Sequence, residues 1–185
     1  PIFDLMHKYE NFPELTSGEI FKEREIYYHR LCKYAKGVLV DSNIGKSHVL
    51  ENYTVDENKV FVMPYIAPTY VCDNKYSDVI EKYNLPQKFI FYPAQFWYHK
   101  NHKAIVESLK ILKETDFIVN CVFVGAKKNS YHTISNLVNK YELTNRIFYL
   151  DYVSNEDLVG LYKTAIALVM PTLLGPTNIP SLEAI

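Results

Sequence analysis

The chain has 185 residues, of which 48% are apolar and 15% aromatic, and its formal net charge at pH 7 is −1. The apolar share is enough for a sizeable core in one domain or in parts of two, whereas a net charge near zero gives no electrostatic basis for binding nucleic acid or an anionic membrane. The three cysteines, at positions 32, 72 and 121, stand far apart and lack CxxC spacing. This usage predicts a reducing compartment and no zinc site.

The first third of the chain predicts strands and helices in alternation. Apolar residues from Ile20 to Ala35 recur on one helical face, with charged residues opposite. This pattern predicts an amphipathic helix that ends at Gly37. The expected elements are a strand end at 1–7, a helix from 16 to 37, a strand at 38–42, a helix at 45–52 and a strand at 60–64.

Residues from about 65 to 87 are typical of a connector, because turn-forming residues and a short helix at 76–83 interrupt the alternation. From Lys88 the alternation becomes regular, which predicts an α/β fold with a doubly wound parallel sheet. Such sheets bind ligands at the carboxyl ends of their strands. The expected elements are strands at 89–93, 117–125, 147–150 and 166–170 and helices at 103–113, 130–141 and 155–164.

The last twenty residues predict a strand, an interrupted loop and the start of a helix. The apolar run from Ile166 to Met170 is typical of a buried strand. Gly175 and Pro176 then break the backbone, and Pro180 opens a helix. This arrangement aims free N–H groups at an anion, and Glu183 could accept hydrogen bonds from a sugar diol. An ordinary strand-to-helix turn is the alternative.

Lys100 and its neighbours follow the first strand of the regular sheet. A cation there faces the same strand-end crevice as the closing stretch, although an exposed loop lysine is the alternative. His99 and His102 stand three residues apart but lack a nearby third ligand, which disfavours a metal site. The Gly45-Lys46-Ser47 segment is not a phosphate loop, because the glycine that such a loop needs at position 40 is a valine.

Two further positions have both a chemical and a structural interpretation. Gly125 ends a strand, where glycine permits close backbone approach to a ligand or merely a tight turn. His7 lies near the end of the first strand with Asp4 and Glu14, and this group could transfer protons or hold sugar hydroxyls. A structural histidine is the alternative.

Four stretches together resemble the bacterial type of glycosyltransferase family 4 (glycosyl transferases group 1), which has the GT-B fold. They are 35–42, similar to the last strand of the family's first domain, 92–102, similar to its "GR…KG" loop, 148–165, similar to its "GYV…eeL" segment, and 171–184, similar to its donor signature. The resemblance implies Rossmann-like domains. Residues 1–66 would be the C-terminal part of the acceptor-side domain and 67–185 a truncated nucleotide-sugar donor-binding domain, in an internal fragment of a longer protein.

The resemblance also implies roles for residues on the donor side. Lys100 matches the lysine that contacts the donor diphosphate, where a cation offsets the charge that develops on the leaving group. Gln95 stands where many members have a companion arginine. Gly125 and Val153 match positions that border the base, and Glu183 matches the glutamate that holds the ribose hydroxyls.

The phosphates and the donor sugar would be held by a loop that matches Thr177, Asn178 and Ile179. The chain departs from the family pattern at two places, one close to this loop and one at the start of the chain. The first glutamate of the donor signature is replaced by Gly175, and the family's His-Asp pair becomes Phe3-Asp4. His7 is close in sequence and could take over, which makes His7 and Lys100 the catalytic candidates.

The implied activity is a retaining transfer of a sugar from a nucleoside-diphosphate sugar to a saccharide or lipid-linked acceptor, for polysaccharide biosynthesis. Neither a cofactor nor a metal is required by this fold, and we expect a cytoplasmic location, with peripheral membrane association through the missing part as an open alternative. A non-catalytic nucleotide-sugar-binding subunit is the rival interpretation. An NAD-dependent enzyme is disfavoured, because no strand is followed by a GxGxxG loop.

Overall fold

The computed structural model describes residues 1–72, 75–115, 117–175 and 178–184. It divides into two compact units, one formed by Pro1–Ile66 with Leu174–Asn178 and the other by Ala67–Leu173 with Ile179–Ile185. That the first unit belongs to an acceptor-side domain stays a prediction. Within the described ranges, no helix combines the length and apolar character that a membrane crossing demands.

The first unit is built around two short parallel strands. Its elements are α1 (Pro13–Thr16), α2 (Gly18–Tyr34), β1 (Val38–Val40), α3 (Asn43–Asn52) and β2 (Val60–Val62). Val38 pairs with Val60, and the predicted strand end at 1–7 is reduced to one parallel bridge between Ile2 and Val40. The chain turns away after that bridge because the Asp4 carboxylate accepts a hydrogen bond from the Met6 N–H and residues 6–8 form a 3₁₀ turn.

A set of hydrogen bonds around Glu25 joins three segments of this unit. We call Glu25 with His7, Lys8 and Tyr53 the Glu25 cluster. The carboxylate accepts from His7 Nε2 at 2.8 Å, from the Tyr53 hydroxyl at 2.7 Å and from the Lys8 ammonium. Burial alone would raise the pKa of Glu25, but these donors outweigh it and lower the pKa to about 2. The ionised carboxylate therefore fixes the turn at residues 6–8 against α2.

The second unit is a parallel sheet with helices on both faces, which confirms the predicted doubly wound architecture. Four strands lie in the order β5-β4-β3-β6, and all pairs are parallel. The elements are α4 (Val79–Tyr83), β3 (Ile90–Pro93), α5 (His102–Lys113), β4 (Cys121–Val124), α6 (Tyr131–Lys140), β5 (Ile147–Leu150), α7 (Asn155–Thr164), β6 (Ala167–Leu168) and α8 (Ile179–Glu183).

Alternating strand side chains divide the core of this unit into two layers. Tyr92 and Phe123 point to the side that carries α5 and α6, whereas Phe91 and Val122 point to the side that carries α4 and α7. This is the period of two expected for strands buried on both faces. Because the strands are parallel, the carboxyl ends of β3, β4 and β5 lie at one common edge of the sheet.

Asp157 connects α4 to α7 beside the second layer. Its side chain is buried, with 2% exposed, and it accepts hydrogen bonds from Lys82 and from the Tyr83 hydroxyl at 2.8 Å each. Ser154 caps the same helix by accepting from the Asp157 N–H. Burial opposes ionisation of Asp157, but its donors outweigh burial and lower its pKa.

Candidate functional site

A cleft of about 650 Å³ lies at the carboxyl edge of β3, β4 and β5. This is the position at which open parallel sheets bind ligands. Each strand contributes its last residue or the loop that follows it, and α7 and α8 contribute the rest. The lining consists of Pro93, Ala94, Gln95, Val124, Gly125, Ala126, Lys127, Asp151, Tyr152, Val153, Asn155, Leu158 and Glu183.

Four of the residues predicted for donor binding meet in this cleft, although they come from four separate stretches of sequence. Gln95 is exposed in the loop after β3, and Gly125 directly follows β4. Val153 is largely buried in the loop after β5, and Glu183 closes the cleft from α8. The structure thus brings together the predicted base-side and ribose-side positions.

Gly125 is the point of closest approach between the loops after β3 and β4. A Cβ atom built on this residue would lie 2.4 Å from the Ala94 carbonyl oxygen and 2.8 Å from the Gln95 nitrogen. The Gly125 N–H donates to the Leu150 carbonyl at 3.1 Å. Only a residue without a side chain fits between these two neighbouring strand ends, so the glycine shapes the floor of the cleft.

The Glu183 carboxylate is held by two tyrosines. One oxygen accepts a hydrogen bond from the Tyr70 hydroxyl and the other from the Tyr162 hydroxyl. Burial and the adjacent Glu183 carboxylate raise the pKa of both phenols, which keeps them protonated and able to donate. The carboxylate therefore has a fixed position at the edge of the cleft.

Lys100 ends a 3₁₀ turn in the loop after β3. Among the described residues it is not part of the cleft lining, although it lies in the same loop as Gln95. Burial is the cause that lowers the pKa of Lys100, with no acidic group acting against it. The described part of the chain therefore places no counter-charge beside this half-buried ammonium.

The loop that carries Lys100 is fastened to the loop after β6. The Leu173 N–H donates to the His99 carbonyl at 2.8 Å, and the Asn101 side-chain amide donates to the Pro171 carbonyl at 3.1 Å. The predicted closing stretch and the predicted lysine loop are thus in contact through residues 171–173. That Lys100 faces the same crevice as residues 175–180 stays a prediction.

Several predicted site residues are not among the described residues that line the cleft. Thr177 lies outside the described residues. Asn178 and Ile179 do not belong to the described lining, so their role in holding phosphates stays a prediction. A Cβ atom built on Gly175 would lie 2.2 Å from the Asn178 Oδ1 atom. The side-chain amide of Asn178 therefore lies where the Cβ atom of any larger residue at position 175 would stand.

His7 belongs to the first unit and is buried in the Glu25 cluster. Its side chain is fully shielded from solvent, its Nε2 is bonded to Glu25, and its ring packs edge-on against Phe21 at a centroid distance of 5.3 Å. Burial lowers the pKa of His7 more than Glu25 raises it. In this arrangement the imidazole presents no free edge to a ligand, so the structure favours the structural alternative over a catalytic role.

His102 is a core residue at the start of α5. Its ring stacks on Phe96 at a centroid distance of 4.1 Å, and Nε2 lies 3.2 Å from the Ala94 carbonyl, so that nitrogen carries the proton. The ring is 1% exposed. Among the described residues, no three histidine, cysteine or acidic side chains form a group that could hold a metal ion.

We expect His102 to remain neutral at pH 6 in the folded protein. Burial lowers the pKa of His102 from 6.5 to about 4, despite the hydrogen bond to Ala94. Since the folded pKa is below the unfolded one, this group reduces stability as the pH falls from 6.5 towards 4. An NMR titration of the ring resonances checks this, with the urea-unfolded protein as control. A folded-state midpoint above pH 6 would contradict it.

Three contributors to the site were missed at the level of sequence. Tyr70 lies in the segment assigned to a connector, and Tyr162 lies in the helix predicted at 155–164, where no site role was assigned to it. Tyr152 lines the cleft and is 90% exposed. Its position next to Val153 was the available signal, whereas nothing local indicates that Tyr70 would reach a residue 113 positions away.

Comparison with known proteins identifies a family for this chain. A family model described as "Glycosyl transferases group 1" matches residues 75–185. The O-antigen chain mannosyltransferase RfbU of Salmonella typhimurium is 28% identical over 165 residues, which cover 87% of this chain and 44% of that protein. The chain therefore spans less than half the length of this curated relative.

Solved structures show the same fold. WaaG, a glycosyltransferase involved in lipopolysaccharide biosynthesis, matches with a TM-score of 0.72 at 14% identity, covering 97% of this chain and 50% of that one. Alr3699/HepE of Anabaena, solved in complex with UDP-glucose, matches with a TM-score of 0.72 at 13% identity, covering 91% and 48%. These similarities confirm the predicted GT-B fold.

Proposed function

Because the chain belongs to the glycosyl transferases group 1 family, we propose that the intact protein transfers a sugar from a nucleoside-diphosphate sugar to a saccharide or lipid-linked acceptor. The observation that carries this proposal is the cleft itself. It gathers Gln95, Gly125, Val153 and Glu183 at the strand ends, where a nucleotide would find a glycine-lined floor, an apolar side chain and a carboxylate.

Lys100 supplies the charge that such a donor requires. A half-buried ammonium without a counter-charge among the described residues costs desolvation energy, and a bound diphosphate would offset that cost. During transfer the bond between the anomeric carbon and the diphosphate breaks as the glycosidic bond forms. A nearby cation stabilises the negative charge that grows on the leaving diphosphate.

The finer features of the reaction are proposals that the relatives support only in part. The name of RfbU supports a mannose-type donor sugar and an O-antigen saccharide as acceptor. The complexes of HepE with UDP and with UDP-glucose support a nucleoside diphosphate as the binding moiety. We propose retention of the anomeric configuration, no metal requirement, a cytoplasmic location and, for a lipid-linked acceptor, peripheral membrane contact.

Titration of UDP and GDP into the intact protein tests the donor site. We expect saturable binding of one of them, and we expect Lys100→Ala and Glu183→Ala each to weaken it at least tenfold, a loss of about 1.4 kcal/mol or more. Lys103→Ala is the matched control, because Lys103 is an exposed lysine of α5 that pairs with Glu107 on the same helix. Absence of binding by the wild type, or unchanged binding by both variants, would refute the assignment.

The sequence at position 175 favours one rival. Since Gly175 provides no carboxylate where the family has a glutamate, a protein that binds nucleotide sugars without turning them over is the second candidate. An assay of donor hydrolysis and transfer distinguishes the two functions. Saturable donor binding with no release of nucleoside diphosphate would support the non-catalytic function.

A further inference from the structure

We propose that Tyr70 and Tyr162 are positioning residues, which orient the Glu183 carboxylate so that it accepts hydrogen bonds from the vicinal diol of the nucleotide's ribose. This inference rests on the proposed function, because it assumes that a nucleoside diphosphate occupies the cleft. It assigns a role to two side chains that donate hydrogen bonds to Glu183 but are absent from the described lining of the cleft.

The two tyrosine hydroxyls bind different oxygens of the Glu183 carboxylate. Tyr70 donates to Oε1 and Tyr162 donates to Oε2. Each carboxylate oxygen offers two lone-pair directions, so one acceptor direction on each oxygen is used and one remains. Glu183 also lines the cleft, and two remaining acceptor sites on adjacent oxygens match the spacing of two neighbouring hydroxyl groups.

The tyrosines themselves are held in place. The Tyr162 ring packs edge-on against Phe91 at 5.1 Å, and Phe91 is fully buried in β3. Tyr70 belongs to the 3₁₀ turn at Thr69–Val71. The carboxylate is therefore bonded by one side chain from α7 that packs on the sheet and by another from this turn, and its rotamer does not depend on α8 alone.

Two tyrosine hydroxyls on one glutamate preorganise its carboxylate for a ligand. A glutamate side chain loses considerable rotamer freedom when a ligand orders it, and that cost is subtracted from the affinity. Here the cost is met during folding.

The test compares ribose with deoxyribose in the intact protein. UDP, GDP and their 2′-deoxy forms are titrated into the wild type, Tyr70→Phe, Tyr162→Phe and the double variant, and the ratio of ribo to deoxy affinity is the readout. We expect a ratio of about ten or more for the wild type, from a hydrogen bond to a charged group, and a ratio below about three for the double variant. Tyr141→Phe is the control, because no described residue bonds the hydroxyl of this half-buried tyrosine.

The outcomes separate the inference from the function on which it rests. If the wild type binds and discriminates but the double variant keeps the full ratio, the positioning role is overturned and the proposed function survives. A variant that weakens both forms equally shows only a structural role and also overturns it. If the wild type binds neither nucleotide, both proposals fall. The single variants provide the same ratio if the double variant does not fold.

Discussion

Replacing Gly125 by alanine should both destabilise the second unit and weaken nucleotide binding at least tenfold. The new Cβ would meet the Ala94 carbonyl oxygen at 2.4 Å and its carbon at 2.6 Å. These are backbone atoms at the end of β3, which cannot rotate away as a side chain would. Relief requires a shift of the loop that carries Gln95, and we expect a loss of about 2–4 kcal/mol in unfolding free energy.

Thermal melting and nucleotide titration of the Gly125→Ala protein measure both parts. Gly18→Ala is the control, because a Cβ at Gly18 would meet no atom within 4 Å and alanine favours a helix by about 0.5–1 kcal/mol. The control should melt at or slightly above the wild-type temperature. Wild-type melting and binding in Gly125→Ala would show that the loops after β3 and β4 adapt without cost.

Glu25→Ala should loosen the first unit more than any change on its surface. The substitution leaves the His7 ring and the Tyr53 hydroxyl without an acceptor in a buried setting, and it removes the counter-charge of Lys8. We expect a loss of about 3 kcal/mol. Hydrogen exchange of amides in α2 and α3 should then accelerate by about two orders of magnitude.

The Glu25 cluster also makes the stability of the first unit depend on pH. The pKa of Glu25 falls from its usual 4.5 to about 2 on folding. The contribution of the ionised Glu25 to the stability of the first unit is therefore present above pH 4.5 and is lost as the pH falls from 4.5 towards 2.

Glu23→Ala is the control for the exchange measurement on Glu25→Ala, since Glu23 is exposed on the same helix. Equal exchange in the Glu25 and Glu23 variants would contradict the role of the cluster.

Local sequence patterns predicted the bounds of a helix well where its N-cap residue and the spacing of its apolar residues agree. Helix α7 has the predicted bounds, 155 to 164, because Ser154 caps it and its inward residues repeat at helical spacing. The prediction for β4 began at 117 but the strand begins at Cys121. Phe117 and Ile118 extended the apolar run, yet both are exposed and have no strand partner.

Strand β6 was predicted at 166–170 and covers only Ala167–Leu168, because its pairing with β3 is limited to Ile90 and Phe91. The site was predictable at positions that follow strands, since topology alone brings those ends together. Contacts such as Tyr70 with Glu183 or His7 with Glu25 join distant parts of the chain. They depend on tertiary packing, which no local pattern contains.

The bond between the His99 carbonyl and the Leu173 N–H has a consequence for sequence divergence. Every amino acid except proline supplies both groups from its main chain. Mutation at either position can therefore change size, charge or polarity and still leave the two loops in register, and only proline at position 173 removes the donor. Evolution can therefore vary the side chains of both loops while the main-chain bond that joins the loops is kept.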